Sequence, residues 1–405
     1  MIKSKNDRIF YSIYALLFVS LSGVFIFEIP RAVFWSATIL FGLFLLYFIF
    51  YKKSFSVPAA SVPLIVFGFT YVLFTYEADH SIYYQSYIFL HLLFMFIIGY
   101  NFYPREDPFD QRSKRLDSYI LIVAVMFIIY VCVTYAIFLK DPSAAPEPRK
   151  YWSVWYPGLV KKTATGFCAS MMFAVGWGIY SFFFSKNRIK KIIGPILVVI
   201  CFVFNIITET RLLVFLVPVM IFAEFIAWLV IRRNKKKTGL IITVVFVLSA
   251  IIVITIYSVF KNEISALLAN SVFSRFADLG FRSTRWKYAA NVLKNFSFTY
   301  LGGGFNSASV GVPHNFWLYV YDYGGIIPFV SYCVFTVMTV VSYFRFIKNK
   351  SIPVDLKVFI TTLCVPVVTE LMFEDLLYGL PSFVLIAHFI FGVFSGLAKY
   401  KPQNI

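Results

Sequence analysis

Runs of about 20 predominantly apolar residues recur along the whole chain. At 1.5 Å of rise per residue, such a run is the length a helix needs to cross the roughly 30 Å hydrocarbon core of a bilayer. Inside lipid the backbone has to satisfy its own hydrogen bonds, which leaves helices or closed barrels as spanning structures. These runs are too long and too continuously apolar for barrel strands. Counting them gives spans at about 9–28, 33–51, 58–75, 84–103, 117–139, 165–184, 190–207, 211–231, 239–260, 315–343, 353–372 and 379–398. The expected fold class is therefore all-α: a polytopic transmembrane bundle of about 12 helices, with residues 1–405 as one integral membrane domain. The first run lacks a small-residue cleavage site, so it is expected to be a span and not a removable signal.

Composition agrees. Apolar residues make up 60% of the chain and charged ones 14%, against roughly 45–50% and about 25% in soluble proteins. The net charge of +18 does not point to nucleic acid, because no basic soluble face carries it. The charges sit in short clusters between apolar runs, where Lys and Arg set orientation. With a cytoplasmic N-terminus, the cytoplasmic segments hold 23 Lys and Arg and the opposite side 13, eleven of which lie in two long loops, 140–164 and 261–313. Both termini are then expected inside, and the basic run at 232–237 is a topology anchor. Cys132, Cys168, Cys201, Cys333 and Cys364 all fall within apolar runs and form no CxxC pair, so neither a disulfide framework nor a zinc site is expected.

The two long outer loops carry most of the unusual residues. In the second, Ile264, Leu267, Leu268, Val272 and Phe276 mark one amphipathic helix, and Trp286, Ala289, Ala290, Leu293 and Phe296 mark another. Gly302–Gly304 and then Pro313–His314–Asn315 lead into the tenth span. Arg211 begins an apolar run on the side where positive charge is scarce. It is either a snorkelling arginine or a guanidinium turned inward onto an anion, since its planar fork matches phosphate oxygens. Arg282 and Arg285 open the second amphipathic helix, and Lys161 and Lys162 precede the sixth span, so an outer-face basic cluster forms without acids near it in sequence. A lipid bearing a diphosphate in the outer leaflet would be a natural ligand.

Of the four histidines, His91 and His388 lie within spans and are expected to be packed, and His80 is a loop histidine. His314, at a span entrance beside the basic loop, can serve as a proton acceptor, and neighbouring arginines favour its neutral form. Glu370, Glu374 and Asp375 cluster near the outer end of the eleventh span, either as a polar helix end or as a site for an acceptor sugar or amine. No histidine stands at ligand spacing from them, so no metal is expected. The aromatics at 151–156 either stack on sugar rings or anchor at the interface.

Four ordered segments carry a family resemblance: KKTATGF (161–167), ITETRLLVFLVP (207–218), STRWKYAANVLKNFSFTYLGGGFNS (283–307) and PHNFWLYVYDYGGIIPF (313–329). Together they resemble the bacterial O-antigen ligase and O-antigen polymerase superfamily. The resemblance implies a GT-C-like bundle in the inner membrane with its active site on the periplasmic face, and makes 140–164 and 261–313 periplasmic loops. It implies transfer of a glycan from undecaprenyl diphosphate, inverting and without metal or other cofactor. Arg211 and Arg285 match the arginines that hold the diphosphate, and His314 matches the base, so these three are the expected catalytic residues. Lys161, Lys162, Arg282, Asn315 and Glu370 are the expected substrate contacts. The acceptor is the lipid A-core in a ligase or a second carrier-linked glycan in a polymerase. A flippase of lipid-linked oligosaccharides is the reading from another class, although such folds often show internal repeats and mid-membrane helix breaks.

Overall fold

The structure is a computed structural model that describes residues 42, 46, 56–75, 87–102, 109–140, 150–152, 161–208, 210–232, 284–302, 313–374, 377 and 381–400. The runs expected at 9–28 and 239–260, and all of 33–51 but residues 42 and 46, lie outside these residues, as do Arg282, His80 and the first amphipathic segment of the long loop. Among the described residues the chain is almost entirely helical. The helices are α1 (Ser61–Thr75), α2 (Leu92–Tyr100), α3 (Phe109–Lys140), α4 (Ala164–Phe184), α5 (Arg188–Ile207), α6 (Arg211–Arg232), α7 (Thr284–Lys294), α8 (Phe316–Gly324), α9 (Ile326–Lys348), α10 (Val354–Phe373) and α11 (Pro381–Ala398).

Four of these are long and apolar enough to cross a membrane: Ser113–Lys140 within α3, Arg188–Ile206 within α5, α9 and α10. The chain is a membrane protein, and α5 shows why its faces cannot be understood in water. Leu197, Val198 and Cys201 are buried, while Ile192, Ile196, Val199 and Val203 are exposed and equally apolar. A helix apolar on all sides belongs in lipid. Pro195, Pro218 and Pro366 lie inside α5, α6 and α10, as membrane helices tolerate.

The run at 315–343, expected as one span, is two helices. Gly325 separates α8 from α9 at φ +82°, a conformation that costs glycine little and other residues much. A Cβ there would strike the Leu301 carbonyl carbon and the Gly302 nitrogen. The backbone of 300–302 thus presses against the break, and Ile326 N–H donates to the Tyr300 carbonyl at 2.8 Å. The run at 84–103 begins with one π turn, Tyr87–His91, before α2. The mostly helical fold agrees with the all-α expectation, with one small addition: Lys150–Trp152 (β1) and Lys161–Thr163 (β2) form a short antiparallel hairpin that pairs Tyr151 with Lys162 and Trp152 with Lys161. Phe138 at the end of α3 meets Tyr151 edge-on at 5.5 Å, which seats the hairpin on the bundle. In α7 the inward residue is Val292, 3% exposed, whereas Leu293, expected on the apolar stripe, is 59% exposed.

Helix α4 runs antiparallel to α5 and α10, whereas α9 and α11 run parallel, with Phe335 meeting His388 and Tyr343 meeting Phe394, and these contacts fix which ends coincide. In α4 and α5, Gly178 lies against Gly194, where a Cβ on Gly178 would come within 2.6 Å of the Gly194 carbonyl oxygen, and Cys201 Sγ lies 3.9 Å from the Met171 carbonyl. Tyr180 in α4 meets Phe359 in α10 with their rings tilted at 4.4 Å, and His388 in α11 stacks on Phe335 in α9 at 5.5 Å. One end of the bundle therefore gathers β2, the turn between α5 and α6, the start of α8 and the end of α10. At the other end, Asp117 accepts a hydrogen bond from Trp177 Nε1 at 2.6 Å and pairs with Lys190, tying α3, α4 and α5 together. Beside them, α2 and α11 touch backbone to backbone: a Cβ on Gly99, Gly392 or Gly396 would strike the Phe389, Phe96 or Tyr100 carbonyl, respectively. His388 is fully buried, with Nδ1 2.7 Å from the Val384 carbonyl, and His91 is buried too.

Candidate functional site

His314 sits between Pro313 and Asn315, which caps α8. The Asn315 side-chain oxygen accepts from Leu318 N–H at 3.1 Å, satisfying one of the free donors of the first turn. Its amide nitrogen donates in the other direction, to the Met372 carbonyl at 3.1 Å. One side chain thus ties the start of α8 to the last turn of α10, across 57 positions of sequence.

That tie brings an acid to the histidine. α10 ends at Glu374, whose N–H donates to the Glu370 carbonyl at 2.9 Å while its backbone turns extended. Glu374 Oε2 then lies 3.4 Å from His314 Nδ1, with side-chain exposures of 8% and 29%. The contact is an ion-pair approach and not a formed hydrogen bond; a carboxylate on the Nδ1 side leaves Nε2 as the nitrogen placed to accept a proton. Glu374 is the carboxylate beside the ring, a pairing that the sequence alone does not single out, and Glu370, an expected substrate contact, is buried one turn earlier. The i, i+4 spacing of two glutamates at a span end was the available signal.

Of the other expected residues, Arg211, Arg285, Lys161 and Lys162 fall at the same end of the bundle. Arg211 is the first residue of α6, after a turn in which the Thr208 and Thr210 hydroxyls lie 3.1 Å apart. Arg285 is the second residue of α7. α7 joins the site through Val292, Tyr321 and Ile326, which pack together, and through Tyr321 OH, which donates to the Ser297 carbonyl at 3.1 Å. Lys161 and Lys162 form β2, opposite the aromatic residues Trp152 and Tyr151.

Directly beside this end lies an apolar groove of about 450 Å³ between α9 and α10, backed by Phe391 of α11. Trp317 and Leu371, two and one positions from Asn315 and Met372, line it near the site; Tyr343 and Thr361 line it farther along the helices, their hydroxyls 2.8 Å apart. Val340, Phe344 and Val368 on its lip are exposed, so the groove faces the lipid-contacting surface. Its dimensions and walls suit a hydrocarbon chain. No group of three or more acidic, histidine or cysteine side chains among the described residues could hold a metal ion. No family model matches the chain, and no curated protein matches it.

Proposed function

We propose that the protein is a glycosyltransferase at the periplasmic face of the bacterial inner membrane, an O-antigen ligase that moves a glycan from undecaprenyl diphosphate onto the lipid A-core. The observation that carries this reading is the approach of Glu374 to His314 at the end of the bundle where Trp317 and Leu371 begin an apolar groove: a candidate base a few residues from a place for a lipid chain. A GT-C-like bundle of twelve spans with both termini in the cytoplasm completes the proposal, supported by the distribution of Lys and Arg in the sequence.

In the proposed reaction the acceptor hydroxyl attacks the anomeric carbon as His314 Nε2 takes its proton. The bond between that carbon and the diphosphate oxygen breaks, and undecaprenyl diphosphate leaves with the electron pair. A single displacement inverts the anomeric centre. Arg211 and Arg285 stabilise the charge that grows on the leaving diphosphate, with Lys161, Lys162 and Arg282 extending the positive field. Glu374 holds the histidine ring in place, and the acceptor sugar docks over Asn315 and the end of α10, near Glu370.

The test is reconstitution of the purified protein with carrier-linked glycan and two acceptors, rough lipopolysaccharide and a second carrier-linked repeat. Transfer to the lipopolysaccharide, unaffected by EDTA and lost in His314→Ala, is the expected result. Transfer at the wild-type rate in His314→Ala overturns the assignment. Transfer to the second repeat alone identifies a polymerase, and movement of the glycan across the bilayer without transfer identifies a transporter.

A further inference from the structure

Asn205 is fully buried, and among the described residues neither its Nδ2 nor its Oδ1 has a hydrogen-bond partner. A primary amide can make four hydrogen bonds, and one buried with none is costly unless something else meets it. Its position says what could. Asn205 continues the buried face of α5 that runs through Val198 and Cys201, while Val199, Val203 and Ile206 face outward. Cys201 lies against Met171 of α4, so Asn205, one turn farther, is level with the first turn of α4, just after Lys161 and Lys162.

The turn that follows folds back onto the same residue. Thr210 N–H donates to the Asn205 carbonyl at 2.9 Å, and the Thr208 and Thr210 hydroxyls adjoin. α6 then starts at Arg211 and runs for 22 residues. The first-turn N–H groups of a helix this long have no helical acceptor, and its dipole favours an anion at that end. A buried amide donor beside a helix N-terminus that opens with arginine is an arrangement for a doubly charged oxyanion.

We infer that Asn205 is a binding residue for the diphosphate of the lipid-linked donor, donating from Nδ2 to a phosphate oxygen at the N-terminus of α6. This rests on the proposed reaction for the identity of the anion, and on the orphaned amide and helix end for its place. Asn205 acts in binding, so its loss raises KM for the donor and leaves kcat much less affected.

The experiment measures thermal unfolding of the full chain in detergent with farnesyl diphosphate, inorganic pyrophosphate or farnesol. Farnesyl diphosphate should raise the wild-type Tm and farnesol should not; a rise with pyrophosphate as well assigns the recognition to the headgroup alone. In Asn205→Leu the rise should vanish, with the apparent affinity at least roughly ten-fold weaker, as expected for a lost hydrogen bond to a charged group. The unliganded Tm of Asn205→Leu should equal or exceed that of wild type, because the variant removes an unsatisfied buried amide. Asn205→Asp, nearly isosteric, supplies a second variant: its carboxylate should also abolish the rise. A farnesyl diphosphate response retained in either variant, or absent from wild type, overturns the inference. A response lost in both variants, in a protein that transfers no glycan, leaves Asn205 in its role and removes the proposed reaction instead.

Discussion

His314 Nδ1 stands 3.4 Å from Glu374 Oε2, although the two residues lie on different helix ends and far apart in sequence. The contact follows from the Asn315 amide, which holds the last turn of α10 against the start of α8. A histidine oriented by a carboxylate at one nitrogen presents the other in a fixed direction, which is what a base in a displacement reaction needs.

Glu374 should therefore matter for transfer without being the proton acceptor. Glu374→Ala is expected to slow transfer by about 10- to 100-fold, less than the loss in His314→Ala, which should reach the roughly 10²–10⁴-fold contribution of a general base. Glu374→Asp should recover part of the activity. Single-turnover rates in proteoliposomes check the order, and a Glu374→Ala protein as active as wild type would remove the dyad from the mechanism.

Arg211 and Arg285 should respond to lysine almost as badly as to alanine. A guanidinium grips two phosphate oxygens through its planar fork, whereas an ammonium acts as a point charge. Arg285→Lys and Arg211→Lys are each expected to lose at least about ten-fold in kcat/KM for the carrier-linked donor. Steady-state kinetics with varied donor concentration measures this.

The Asn315 side chain has two duties that separate by substitution. Asn315→Asp keeps an oxygen for Leu318 N–H but loses the donation to Met372, so it should retain most of the cap's stability and lose transfer. Asn315→Ala loses both and should cost about 1 kcal/mol or more. Thermal melts and transfer rates, measured on the same preparations, distinguish the two contributions.

Filling the groove should penalise long lipid chains selectively. Thr339 lines it midway between Trp317 and Tyr343, and Thr339→Phe is expected to raise KM for a long-chain donor several-fold while leaving a short-chain analogue little changed. Equal effects on both chain lengths would place the lipid chain elsewhere.

Much of the helical layout was legible along the chain, for a physical reason. The apolar runs at 165–184, 211–231 and 353–372 are long enough for lipid to dictate helix, and the observed helices begin and end within about two residues of them. What stayed hidden depends on contacts between distant segments. The break at Gly325 comes from the 300–302 backbone pressing on it, and nothing in the run at 315–343 announces that. Lys161 and Lys162 looked like loop charges because their strand exists only by pairing with 150–152. His314 and Asn315 stand out in the sequence as candidates, yet Glu374 can be matched to them only once α8 and α10 lie side by side.

The glycine seam between α2 and α11 bears on how the bundle can move. Gly99, Gly392 and Gly396 bring the two backbones together at successive turns, and any slide along the axis would drive side chains into carbonyl groups. The pair behaves mechanically as a single strut. Breathing of the bundle is consequently directed to the other flank of α11, where α9 and α10 are separated by an apolar groove that can widen without breaking a backbone contact.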